Sequence, residues 1–287
     1  MAITLTQEQL NTYRAETFRM TPGKHLVSPE DAVSFVNERG FILFHPGKGV
    51  LLPSLWAAVA GDRPVPNEHD DPGHVSWSWK DSLLDQKVWY YGRLIDGRMS
   101  LISLSTLPYF YALSPNYGDW EHDYLEQYDS GTLSFECKSI YEALLSNGPL
   151  NTLDLRESAR LWGNQSQYRF TKAMNQLQME LKILPIGIAA AGRWKYAFIF
   201  DILPRHLSEV DEAARKIGIR EAREKLLLIY LKSVGAASEI DIRKIFGWRP
   251  GEQSNTLSTL VEKQDIVPDV SIVNRKEQLF VIPELLL

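Results

Sequence analysis

Residues 139–204 read SIYEALLSNGPLNTLDLRESARLWGNQSQYRFTKAMNQLQMELKILPIGIAAAGRWKYAFIFDILP. Ile140, Tyr141, Leu144 and Leu145 recur at helical spacing, and Asn147-Gly148-Pro149 ends that helix. Thr152 is the expected cap of a second helix, with Leu155, Ala159 and Leu161 or Trp162 inward. Gly163-Asn164 turns the chain into a third helix, Ser166–Leu181, with Phe170, Ala173, Met174 and Leu177 on its core face. Ile183–Ile188 and Trp194–Phe200 then read as strands about Ala191-Gly192-Arg193. Helix, turn, helix, longer helix and hairpin is the order of a winged helix.

The pattern recurs at Lys225–Pro283. Ile229-Tyr230 stands for Ile140-Tyr141, and Phe246-Gly247 for Trp162-Gly163. Gly235 through Asp241 to Arg243 matches Gly148 through Asp154 to Arg156 at the same internal spacing. Leu260 with Ile266 matches Leu177 with Ile183, and the last hairpin turns at Asn274-Arg275-Lys276. The two stretches are therefore read as tandem copies. Glu209–Arg223 is a charged helical connector.

Ahead of the copies lie helices and one hairpin. Thr6 with Gln9 forms a capping-box pattern. Ser28-Pro29-Glu30-Asp31 opens a second helix, which Gly40 closes. Phe41–Phe44 is a short apolar run, and Asp62–His74 reads as a polar surface loop. Lys87–Leu94 and Met99–Leu104 flank Asp96-Gly97, a hairpin turn signal. The expectation is a mainly α chain with small β-hairpins, α+β in class. Three tandem winged-helix units form a concave surface: residues 1–135, 136–205 and 206–287.

The chain has 287 residues, 44% of them hydrophobic, which suits a globular protein with real cores. Its single cysteine, Cys137, excludes an internal disulfide and a cysteine-rich zinc site. No signal peptide or membrane-spanning run is read, so the cytoplasm is the expected compartment. The net charge of −5 runs against DNA binding, but the charges are segregated. Acids concentrate between Asp81 and Asp129, whereas Arg156, Arg160, Arg169, Lys172, Lys182, Arg193 and Lys195 make the opening stretch locally basic.

Arginine, asparagine and glutamine match base edges in the major groove, so the polar positions of the third helix are candidate DNA contacts. The set is Arg156, Gln167, Arg169, Lys172 and Gln176, with Asn164 and Gln165 at the helix start and Arg193 and Lys195 on the wing. The third unit offers Gln253, Ser254, Asn255 and Thr256 at the equivalent place. His69-Asp-Asp-Pro-Gly-His74 does not meet a metal-ligand spacing, and Gly47-Lys48-Gly49 lacks the rest of a phosphate loop. Aromatic side chains crowd Trp77–Tyr128, including Tyr117, and core packing is their commonest use. Stacking on an extruded base is the alternative use.

IYEALL, GPL, DL and LWG, with the repeat after them, resemble the AlkZ/YcaQ family of bacterial crosslink-repair DNA glycosylases. The likeness implies three winged-helix units on duplex DNA, damaged or intact. It also implies excision of alkylated purines and unhooking of interstrand crosslinks without metal or organic cofactor. A monomer is expected. The family carries glutamine–apolar–glutamine or glutamine–apolar–aspartate after a glycine-apolar-apolar lead-in. Here that run is Gly40-Phe41-Ile42-Leu43-Phe44-His45, with Leu43 at the first polar position and His45 at the second. His45 is thus the candidate catalytic residue, able to orient water or take a proton. Three readings follow: a DNA-binding relative of doubtful catalytic power, an active glycosylase using His45, and a transcription regulator or protein-interaction module.

Overall fold

A computed structural model of the chain describes residues 4–68, 70–116, 118–163, 166–273 and 278–286. His69, Tyr117, Asn164, Gln165 and the Asn274-Arg275-Lys276 turn lie outside the described residues. The first elements are β1 (Thr4–Leu5) and α1 (Gln7–Thr17). Thr6 caps α1 as its spacing from Gln9 predicts: Gln9 N donates to Thr6 Oγ1 at 3.1 Å, and Thr6 N to Gln9 Oε1 at 2.9 Å.

Then come α2 (Pro29–Arg39), β2 (Phe41–Leu43), α3 (Leu55–Ala60), α4 (Val75–Ser82), β3 (Trp89–Ile95) and β4 (Arg98–Ser103). Ser28 caps α2, and Gly40 ends it at φ +76°. A side chain at Gly40 would place its Cβ 2.6 Å from Ile229 Cγ2, so the turn needs glycine for both conformation and space. Next are α5 (Leu107–Ala112), α6 (Asp123–Asp129), α7 (Phe135–Asn147), β5 (Leu150–Asn151), α8 (Thr152–Ser158), α9 (Ser166–Met179), β6 (Ile183–Ala189) and β7 (Ala197–Ile202). Then come α10 (Leu203–His206) and α11 (Ser208–Ala214), so the connector read over Glu209–Arg223 is not one helix but α11 and the start of the next. The chain ends with α12 (Ile219–Val234), β8 (Ala236–Ala237), α13 (Glu239–Phe246), α14 (Pro250–Glu262), β9 (Val267–Ile272) and β10 (Gln278–Val281).

The fold is α+β with three small sheets, and one strand order recurs in all of them. A short strand pairs with the second arm of a hairpin: β2-β4-β3, β5-β7-β6 and β8-β10-β9. In the last sheet β1 adds a parallel strand beyond β9, with Thr4 opposite Ser271. Leu5 and Leu10 share a core with Val270 and Val281, so the N-terminal residues pack on the last sheet rather than on the elements that follow them. A central core joins Phe41, Leu43 and Tyr90 of the first sheet to Tyr230 and Leu231 of α12.

Three local expectations are corrected, and one alternative is decided. Asn151, not Thr152, caps α8: Asn151 Oδ1 accepts from Leu153 N at 3.0 Å and Asp154 N at 3.2 Å. Thr152 Oγ1 instead donates to Phe198 O at 3.0 Å, fastening the helix to β7. Leu161 is the inward residue and Trp162 is exposed. β7 begins at Ala197, which leaves Trp194 outside the strand, at the hairpin tip. Lys182 does not belong to a basic surface: its Nζ is buried, 3.4 Å from Asp123 Oδ1 and 2.8 Å from Asn116 Oδ1. Burying a cation is tolerated only with such partners. Among the described residues no helix is long and apolar enough to cross a membrane.

Candidate catalytic pocket and nucleic-acid interface

The pocket is set by where β2 stops. Phe41 and Leu43 face the central core, while Ile42 and Phe44 face Trp79, Leu83 and Tyr91 behind the first sheet. Leu43 has no exposed surface. Its backbone is held on both edges, opposite Ser100 of β4 and by Leu43 N donating to Pro53 O at 2.9 Å. Trp56 N donates to Phe44 O at 3.0 Å, which draws the start of α3 against the end of the strand. Position 43 is thus closed, and the next side chain with chemistry, His45, comes out at the strand exit.

His45 is half-buried among rings. Its centroid lies 4.6 Å from Phe44, 6.0 Å from Trp56 and 5.8 Å from Trp77. His74 reaches the same tryptophans, at 5.2 Å from Trp56 and 6.2 Å from Trp77. The Asp62–His74 segment stays at the surface, with Gly73 alone buried among its described residues, but its end turns inward at His74. Arg63 makes a two-pronged pair with Asp71 at 2.6 and 2.9 Å and lies over the Trp56 ring at 5.1 Å. Trp56 Nε1 donates to Arg63 O at 3.1 Å. These contacts bring the segment over Trp56 and deliver His74 beside His45. His45 Nε2 and His74 Nε2 are both buried without a hydrogen-bond partner among the described residues.

Burial pushes the His45 imidazole below its ordinary value, and the neighbouring His74 and Lys80 push it further down. It is therefore neutral at pH 7, able to accept a proton or a hydrogen bond. Lys80 is almost wholly buried. Its ammonium lies 4.8 Å from the Phe198 ring centroid, 5.1 Å from Tyr91 and 5.6 Å from Trp77. It pairs with Asp81 and donates to Tyr196 Oη at 3.0 Å, and Tyr196 Oη donates to Asp81 Oδ1 at 2.9 Å. Burial lowers the lysine's affinity for its proton, and Asp81 opposes that shift. Ring faces also favour a cation. Tyr196 and Phe198 come from the turn end of the β6–β7 hairpin, so this cluster fastens that end beside His45.

Most of the crowded rings are core: Trp79, Trp89, Tyr90, Tyr91 and Tyr111 are buried. Trp77 keeps 42% of its surface open and is the ring of the pocket that solvent reaches most.

The structure sorts the candidate DNA contacts into committed and open side chains. Arg156 Nε donates to Leu161 O at 2.8 Å and its Nη2 to Gly163 O at 2.7 Å, and it also binds Gln167 Oε1. It therefore staples the turn between α8 and α9. Arg169 is exposed but paired with Glu136 at 3.1 Å. Gln176 turns back to Thr132 O at 3.0 Å and Glu180 Oε1 at 2.8 Å. Lys172, Arg193 and Lys195 are exposed, with no ion-pair partner among the described residues. Beside them stand Trp162, Tyr168 and Trp194, respectively 63%, 75% and 81% exposed. Periodicity could place Tyr168 on the outer face of α9, but only the tertiary fold shows that Trp162 and Trp194 are uncovered.

The chain is α+β, and two helices followed by a hairpin recur along it. The chain belongs to the AlkZ-related family, whose model matches residues 26–247. Among solved structures it is similar to Streptomyces sahachiroi DNA glycosylase AlkZ, with a TM-score of 0.59 and 15% identity, over 98% of this chain and 71% of that one. At that identity the likeness is one of fold. No curated protein matches the sequence.

Proposed function

We propose that the protein binds double-stranded DNA, damaged or intact, through three winged-helix units whose outer faces form one concave surface. The units are those read from the sequence, 1–135, 136–205 and 206–287, with Thr4–Thr17 lending a strand and a helix to the third. The recurring strand order supports this reading. So does the grouping of open cations and rings on α9 and the β6–β7 hairpin. The protein is related to enzymes that excise alkylated bases, but excision by their usual polar pair is not available to it. One observation carries that conclusion: Leu43 lies wholly in the core and presents nothing to a sugar.

Duplex binding measured across a salt series tests the reading. The expected result is a linear fall of log affinity with log salt, by about 0.9 per phosphate contacted. An affinity indifferent to salt, or no binding at low salt, overturns it. Release of methylated purines is expected to be absent or slow.

A second reading, an active glycosylase using His45, is favoured by the unpartnered, neutral Nε2 beside an open tryptophan. It predicts purine release that His45→Ala abolishes. Equal release by both proteins removes His45 from the chemistry.

A further inference from the structure

The β6–β7 hairpin ends in Ala189-Ala-Ala-Gly-Arg-Trp-Lys-Tyr196, a run with two cations and no acid. Gly192 and Lys195 both have positive φ, +76° and +51°, which bends the tip sharply around Trp194. The indole is 81% exposed, and the Arg193 guanidinium lies 5.4 Å from its centroid. Large rings are seldom left this open. The exposed edge is flanked on both sides by charges that suit phosphates. The tip is carried on a fixed base: Tyr196, two residues on, is bound to Asp81 and Lys80. Lys80 in turn lies 5.9 Å from the Phe44 ring, next to His45. An open aromatic side chain thus stands two residues from a tyrosine held by Lys80, which itself lies against Trp77 of the histidine pocket.

We propose that Trp194 is a wedge that enters the base stack of bound duplex DNA beside the His45 pocket, with Arg193 and Lys195 holding the adjoining phosphates. This rests on the DNA-binding reading above and adds how the duplex is held. Planar rings replace base stacking at little cost in sequence preference, and inserted side chains unstack the step they enter. The gap so opened lies where a nucleotide leaving the duplex reaches Trp77 and His45.

The test uses the full chain and a short duplex with one 2-aminopurine beside a stable abasic analogue. Wild-type protein is expected to bind and to raise the reporter's fluorescence as it unstacks. Trp194→Ala is expected to bind about tenfold more weakly and to give no rise at saturation. Trp194→Phe keeps part of both effects. The side chain is open, so both variants are expected to fold with unchanged circular dichroism and melting temperature. Wild-type binding without a rise, or a rise that Trp194→Ala retains, overturns the wedge and leaves DNA binding standing. No binding by the wild type at low salt removes DNA binding and the wedge together.

Discussion

The segments Phe135–Ile202 and Ile219–Val281 have the same elements in the same order, yet their exposed faces carry different side chains. In both, a glycine of positive φ ends the first helix, and a side chain three residues later caps the next: Gly148 with Asn151, Gly235 with Ser238. Both bury a tyrosine in the first helix, Tyr141 and Tyr230. The difference is in the turn and the helix after it. Trp162 is uncovered, whereas its counterpart Phe246 stacks on Trp248 at 4.3 Å and meets Tyr230 at 5.8 Å. Lys172 on α9 is open, whereas several charges on α12 and α14 pair with one another. Arg223 binds Glu252 at 2.5 Å, and Glu224 takes both Arg220 and Lys263. Gln253 and Thr256, read as outward, are buried, with Gln253 Nε2 donating to Glu239 O at 3.0 Å. A shared backbone plan thus carries an open tyrosine and lysine on one helix face, Tyr168 and Lys172, and the uncharged Ser254, Asn255 and Ser258 on the other.

The largest effect should come from the buried pair that holds the second segment to α6. Lys182→Ala removes the buried cation beside Asp123 and is expected to cost about 3–5 kcal/mol in urea unfolding. A loss no greater than that of a surface lysine would mean water reaches the pair. Next is the contrast in binding. Replacing Lys172 and Arg193 together by alanine should lower the salt slope of duplex affinity by about 2. Asn255→Ala on α14 should leave slope and affinity within error. If the α14 variant is the weaker binder, the contrast between the segments is drawn the wrong way round.

Arg156 sharpens the same contrast, because its role is internal. Arg156→Ala should cost about 1–2 kcal/mol of stability through the lost bonds to Leu161 O and Gly163 O. Its effect on salt slope should be smaller than that of Lys172. The smallest effect is the pH response of the pocket. The His45 pKa is lowered in the fold, so the unfolded chain takes the proton first. Its contribution to stability is whole above the ordinary value of 6.5 and is lost as pH falls through the lowered folded value. His45→Gln should flatten the acid limb of a stability profile, leaving the part due to His206, which burial shifts the same way.

Local signals were strong wherever one side chain suffices. The Thr6–Gln9 box, the Ser28 cap with Pro29, the Gly40 stop and the Asp96-Gly97 hairpin could each be read from adjacent residues. Family membership was also legible, because the recurring glycine, aspartate and aromatic-glycine positions fix one topology twice. His45 was legible only as a position in a motif. Its environment was not, because His74, Trp56, Lys80 and Tyr196 arrive from separate parts of the chain.

By itself, then, the sequence determined the elements, their repetition, and the leucine and histidine at positions 43 and 45. Only the tertiary structure decided which charges and rings remain open. An arginine reads the same whether it faces a phosphate, as Arg193 can, or staples a turn, as Arg156 does. The choice depends on which carbonyls and carboxylates the fold brings within 3 Å, and those lie on other elements.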